Sequence, residues 1–281
     1  MGRENEARAM DLVSDRAAVL CVVLASGDVC VPFAPGPSLR EILDTTEHRV
    51  QAACGGVGVC GRCLVRIEEG AIDPLTAAEI HRLSPAQQAA GVRLACQIRP
   101  RTSLRVRLLS PAPKSRWRSL PEYENVAIAP PRGVPSAVRY GLAVDLGTTF
   151  IRVALWDLQA AKRVAARSGL NPQGAFGADV LSRLEAATES PARARAIAQA
   201  ARDAIGEAFA DIVTRQFLDP DEPRHGLGRA LVVGNTAMLA LLAQRHCHAL
   251  LQPENWERAV DVTPVDDGAG QPCPAKSGWR G

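Results

Sequence analysis

Four cysteines carry the clearest chemistry in this 281-residue sequence. Cys54, Cys60 and Cys63 fall within ten residues, in Cys54-Gly55-Gly56-Val57-Gly58-Val59-Cys60-Gly61-Arg62-Cys63, and Cys96 follows thirty-three residues after Cys63. Thiolates are soft ligands, and four of them at this spacing can hold a metal centre. Four glycines are interspersed among the first three. A loop that wraps an inorganic core must turn tightly and aim backbone N–H groups at it, which calls for positive φ and no Cβ in the way.

Two metal centres suit four thiolates. Tetrahedral zinc is one, but zinc ribbons usually present two paired C-x2-C knuckles. Here three candidate ligands share one glycine-rich loop and the fourth stands alone. The C-x5-C-x2-C…C order is close to the plant-type [2Fe–2S] spacing, with one extra residue in the first gap. The expected ligand set is therefore Cys54, Cys60, Cys63 and Cys96, with an iron–sulfur cluster favoured over zinc.

A second constellation is Asp145-Leu146-Gly147-Thr148-Thr149. Gly147 would let the backbone approach phosphate oxygens, and successive turn N–H groups form an anion nest to which Thr148 and Thr149 add hydroxyls. Asp145, at the end of a buried strand, would orient a hydrated Mg²⁺. Gly234 and Asn235 end a later strand and complete this expected cofactor-binding set. A hairpin with a polar turn explains the same residues without a ligand. Asp179 and Asn235 equally suit helix N-caps. The His246-Cys247-His248 run lacks ligand spacing and is expected to be structural.

Ala17–Ala25 and Val29–Phe33, across Ser26-Gly27-Asp28, read as a hairpin. Cys21 and Cys30 on those strands are expected to be small buried hydrophobes. Ser38 with Glu41 forms a capping box ahead of Leu39, Ile42 and Leu43. Strands are expected at 63–67 and 104–108, with short helices at 76–83 and 85–90. Residues 110–138 contain six prolines and read as an extended linker. A second ordered block starts at Tyr140 with strand, turn and strand. A long helix spans 192–217, with Ile197, Ala201, Ile205, Ala208, Phe209, Ile212 and Val213 on one face. Ala230–Val233 reads as a buried strand that turns through Gly234-Asn235-Thr236 into an apolar helix. The expected divisions are a lead-in at 1–16, a first domain at 17–109, the linker, a second domain at 139–262 and an irregular tail at 263–281.

The chain is 47% apolar, 22% charged and 4% aromatic, so its cores must be aliphatic. A net charge of +3 is too small to argue for nucleic acid or a membrane surface, and neither is expected as a partner. The longest apolar runs are nine and seven residues, against roughly twenty for a bilayer span. Met1–Arg16 has no secretory pattern, so a reducing, cytoplasmic setting is expected.

Residues 17–109 resemble a [2Fe–2S] ferredoxin domain of β-grasp type. The DLGTT hairpin resembles the first phosphate motif of the actin, sugar-kinase and heat-shock-chaperone ATPases. Together with Asn171-Pro172-Gln173, Gly177-Ala178-Asp179-Val180 and Val233-Gly234-Asn235-Thr236-Ala237-Met238, they make residues 17–262 similar to the reductive activators of corrinoid proteins. The fold class implied is α+β followed by α/β: a β-grasp ferredoxin domain, then an incomplete actin-like (ribonuclease H-like) ATPase lobe. The resemblance implies low-potential electrons from an unidentified donor passing through the cluster to a corrinoid protein of a methyltransferase system, converting cob(II)alamin to cob(I)alamin, with Mg·ATP as second ligand. The second phosphate and adenosine motifs of that superfamily do not follow Asn235. The chain thus resembles the front half of an activator, as a fragment, a natural truncation or the product of a shifted frame. Half a cleft is not expected to hydrolyse ATP well. The alternative is a ferredoxin whose 140–281 portion only docks a partner or forms a homodimer.

Overall fold

The computed structural model describes residues 18–120, 138–257 and 259–262. The expected lead-in, the 121–137 portion of the linker and the tail at 263–281 lie outside the described residues. Two five-stranded sheets organise the rest.

The first sheet contains β1 (Ala18–Val22), β2 (Val29–Phe33), β3 (Leu64–Glu69), β4 (Val92–Leu94) and β5 (Leu104–Leu108), in the order β2-β1-β5-β3-β4. β1 and β5 run parallel, and the other neighbours are antiparallel. One helix, α1 (Leu39–Asp44), starts at the expected capping box, in which Ser38 and Glu41 satisfy each other's backbone N–H groups. Its Leu39, Ile42 and Leu43 join Leu20, Val65, Leu94 and Val106 in an aliphatic core. Arg40 and Asp44 on the same helix are buried too, because that side of α1 meets the second domain rather than water. Two short capped helices, α2 (Ala77–Arg82) and α3 (Pro85–Ala89), lead into β4. Glu79 on α2 is fully buried. It accepts from both Arg93 Nε at 2.7 Å and the Leu94 N–H at 3.0 Å, and so fixes the strand that delivers Cys96.

Cys21 and Cys30 are not the buried hydrophobes expected from free cysteine. They sit opposite each other in the antiparallel register, Cα atoms 4.0 Å apart, and form a disulfide. They occupy the outer side of an edge hairpin, where Cys30 is exposed and Cys21 half-buried.

In the second sheet β7 (Tyr140–Leu146), β8 (Phe150–Asp157) and β9 (Lys162–Leu170) form an antiparallel meander. β10 (Leu227–Gly234) lies parallel to β7 after a helical crossover, and β6 (Arg118–Ser119) pairs with β9 at the other edge, giving the order β10-β7-β8-β9-β6. The crossover includes α4 (Val180–Glu189), α5 (Pro191–Gln216) and α6 (Asp221–His225); α7 (Thr236–Ala243) and α8 (Cys247–Leu250) follow β10. Leu142, Val144 and Leu146 face α4, α5 and α7 in one core. The intervening Ala143 and Asp145 line a shallow trough of about 310 Å³ on the opposite face, with Leu231 and Val233. Ala230–Val233 is therefore not the buried strand its composition suggests. It lies at an edge, with Leu231 66% and Val233 51% exposed, because the helices cover only one face of the sheet among the described residues.

The expected linker is structured at its start. Val50 bridges to Pro111, Trp117 is buried in the second core, and β6 follows it directly. The indole fits because residue 169 is glycine: a Cβ there would stand 2.7 Å from the Trp117 ring. Burial of that ring outweighs the local disorder that proline favours. No described helix is long and apolar enough to cross a membrane.

Candidate metal centre

The loop between α1 and β3 has the backbone its glycines predicted. Gly55, Gly56, Gly58 and Gly61 all have positive φ, between 60° and 99°. At Gly58 a side chain is excluded twice over, by φ +86° and by a Cβ position 2.8 Å from the Ala78 Cβ. Gly58→Ala is expected to cost about 1–2 kcal/mol from the left-handed conformation alone, and more as Ala78 is displaced. Urea unfolding of the variant measures it; a cost near zero would mean that the loop relaxes freely.

The four thiols fall into two interacting pairs. Cys54 couples electrostatically to Cys60 and Cys63 to Cys96, and Cys63 also feels the charge of Cys60. Cys54, Cys63 and Cys96 are buried and Cys60 is half-exposed. Backbone N–H groups converge on the sulfurs. Burial pushes Cys54 up, but hydrogen bonds from Cys60, Gly56 and Gly58 outweigh it and hold the thiol below its usual range. Burial leaves Cys60 raised despite bonds from the Arg62 and Ala53 amides. In the Cys63–Cys96 pair, the bond from Cys63 brings Cys96 down to about 6 against burial, helped by Gln97 and the positive charge of Arg40. The same bond, with burial, pushes Cys63 up. Gln97 also donates to the Gly56 carbonyl at 2.8 Å, stitching the Cys96 turn to the loop.

The two pairs fit the two-metal reading better than the single-metal one. A mononuclear tetrahedral site needs all its ligands around one point. Among the described residues no three His, Cys, Asp or Glu side chains converge in that way. Two adjacent thiol pairs instead suit two metals, each taking one pair. His246 and His248 join no such group, and Cys247 is a half-buried free thiol.

The cluster loop rests on the second domain. The Gly55 N–H donates to the Arg215 carbonyl oxygen, at the C-terminal end of α5, at 3.2 Å. Arg49 and Arg167 both reach Asp211 on α5, at 2.9 and 2.6 Å, and Arg215 pairs with Asp44. Nothing in the local sequence pattern announces these contacts, which join residues 160 or more apart except for Arg167 with Asp211.

The second constellation also assembles. β10 lies beside β7 so that Val233 faces Asp145 and Gly234 faces Leu146. Asn235 donates to the Thr148 hydroxyl at 3.1 Å and accepts from the Met238 N–H, capping α7. Asp179 caps α4 through Ser182. Asn171 holds the Gly147 carbonyl at 2.8 Å. Arg183, which the sequence did not single out, is buried and donates to the Thr148 carbonyl at 2.7 Å; burial lowers its affinity for its proton. The donors expected to cradle phosphate are partly committed within the protein. The Gly147 N–H closes the turn onto the Phe150 carbonyl at 3.0 Å, and Asp145 pairs with Arg152 at 2.9 Å. Thr149 follows Gly147 and Thr148 in the same turn and accepts from the Asn171 N–H through its carbonyl.

Comparison with known proteins follows the same division. Residues 23–101 match the family model of the 2Fe-2S iron–sulfur cluster binding domain, and residues 140–265 match the RACo middle region. A component of the Na(+)-translocating NADH-quinone reductase of Pasteurella multocida is 41% identical over 93 residues, covering 30% of this chain and 23% of that protein. The same component of the Yersinia pestis reductase is 38% identical over 73 residues, covering 26% and 18%. Among solved structures, a "Reductive activator for corrinoid,iron-sulfur protein" aligns with 81% of this chain and 48% of its own, at 19% identity and a TM-score of 0.32. The chain thus spans less than a quarter of these curated relatives and about half of that solved structure. The chain therefore resembles the reductive activators of corrinoid proteins: a match to the 2Fe-2S iron–sulfur cluster binding domain precedes a match to the RACo middle region, and the second of these carries the likeness to that family.

Proposed function

We propose that the chain is a one-electron carrier of the corrinoid-activator type, with Cys54 and Cys60 binding one iron of a [2Fe–2S] cluster and Cys63 and Cys96 the other. The pairing of the four thiols around one glycine-rich loop carries this reading. The cluster supplies one-electron chemistry. The protein's part is to hold it rigidly, exclude water on the Cys54, Cys63 and Cys96 sides, and leave an approach at half-exposed Cys60, flanked by exposed Val57 and Val59. Low-potential electrons would pass to a corrinoid protein and restore cob(I)alamin from cob(II)alamin. The β9-β8-β7-β10 order, with β10 parallel to β7, supports reading the second domain as part of an actin-like lobe.

A second reading gives that domain no nucleotide chemistry and leaves it to dock or dimerise. The commitment of the Gly147 N–H and of Asp145 to internal partners favours it. One experiment addresses both. The loaded chain, reduced with dithionite, is mixed with a corrinoid protein held as cob(II)alamin, with and without Mg·ATP. Appearance of the cob(I)alamin spectrum is expected; its absence in every arm refutes the activator reading. An ATP-dependent rate that Asp145→Ala abolishes would refute the docking reading.

A further inference from the structure

The boundary between the domains carries an unbalanced buried charge. Arg40, Arg49, Arg167 and Arg215 are each no more than 5% exposed. The carboxylates facing them are Asp44 and Asp211. Four guanidinium groups against two carboxylates leave an excess of two positive charges. The strain shows at Arg215, which burial pulls down to about 10. Asp44 opposes that, and Arg49, Arg40 and Arg167 reinforce it. Buried charges persist in proteins when something of opposite sign meets them.

Arg40 is the member without a carboxylate of its own among the described residues. Its Nη1 reaches only the Arg215 carbonyl oxygen, at 3.5 Å, and its Nε has no partner. Its Nη2 points towards the cysteine loop. A Cβ built on Gly56 would lie 4.0 Å from that nitrogen and 4.0 Å from the Cys96 Cβ, so guanidinium and cysteine border the same small space. A [2Fe–2S] centre with four thiolates is formally dianionic when oxidised and trianionic when reduced, and nearby charge is one of the levers that set its potential.

We propose that Arg40 is the counter-charge of the cluster: a positioning residue, clamped between the cysteine loop and the last turn of α5, that makes the reduced state easier to reach. This inference rests on the [2Fe–2S] reading above. Because the clamp includes the Arg215 carbonyl, the second domain takes part in placing the charge. One electron from a chemical reductant such as dithionite would turn one ferric iron of the bound cluster ferrous, and Arg40 would meet the added charge without any bond or proton moving at its guanidinium.

The test is a potentiometric titration of the cluster-loaded full chain, followed by the EPR signal of the reduced centre. Arg40→Gln removes the charge with little change in shape, and Arg40→Lys keeps it. Arg40→Gln is expected to make reduction about tenfold less favourable, a midpoint lower by about 59 mV for one electron. Arg40→Lys should stay closer to the wild type. An unchanged midpoint in a loaded Arg40→Gln overturns the proposal. If Arg40→Gln does not load, Arg40→Lys decides. A loaded lysine variant supports the counter-charge, and one that also fails to load assigns Arg40 to packing and overturns it. A wild-type chain that takes up no iron and sulfide would instead refute the cluster reading itself.

Discussion

Cys96→Ala is expected to strip the chain of its metal centre altogether. If each thiol pair holds one iron of a [2Fe–2S] cluster, as proposed, losing one thiol would leave an iron with a single protein ligand, and the whole cluster would be lost with it. Iron and acid-labile sulfide should fall from about two each per chain to near zero. The visible absorbance and the EPR signal of the reduced state should vanish with them. Cys54→Ala should behave in the same way, since it breaks the other pair. Cys247→Ala is the control: that thiol is half-buried, burial raises it, and it lies in α8, away from the loop. A Cys96→Ala protein that kept two irons would show that the fourth ligand lies elsewhere. A wild-type protein holding one zinc and no sulfide would show that the two pairs close on a single ion.

How much of this was legible in the sequence depends on the range of the interaction. The cysteine loop was legible because ligand type, spacing and glycine are all encoded within ten residues. Capping at Ser38, Asp179 and Asn235 was legible for the same reason, since a cap and its N–H partner lie three residues apart. The strand–turn–strand around Gly147 was also local. What escaped were features decided by partners distant in the chain. Trp117 belongs to the second core although proline surrounds it, because residue 169 leaves room for its ring. β9 alternates poorly, mixing Lys162, Arg163 and Arg167 with small residues, and is held as a strand by β8 and β6 on its two sides. The apolar run in β10 was misleading, since composition says nothing about which face of a sheet its helices cover. Cys21 and Cys30 needed the hairpin register before they could be paired. The arginine–aspartate network had no local signature, and each of its charges alone reads as surface.

That network is where the largest effect on stability is expected. Asp211 accepts from Arg49 through both carboxylate oxygens at 2.9 Å and from Arg167 at 2.6 Å, and Arg167 is fully buried. It therefore ties a residue of the first domain to a strand and a helix of the second. Replacing both sides of such a buried pair with apolar groups can be harmless, but removing one side strands the other. Asp211→Ala leaves two buried guanidinium groups facing each other and should cost about 3–5 kcal/mol. A surface ion pair would cost about 1 kcal/mol or less, so a urea melt of the full chain at neutral pH distinguishes the two. The pH dependence gives a second reading. Burial pushes Asp211 up, but Arg167 and Arg49 outweigh it and hold the folded carboxyl below its ordinary value. A depressed folded value means that the stabilisation is fully present above the unfolded value, near 3.9, and is lost as the pH falls through the lower folded one. The gap between wild type and Asp211→Asn should thus be constant from about pH 7 to pH 5 and close only below about pH 4. A gap that narrowed already between pH 7 and 5 would mean that Asp211 is not held ionised by the two arginines. An Asp211→Ala cost under about 1 kcal/mol would mean that the two domains are not joined through it.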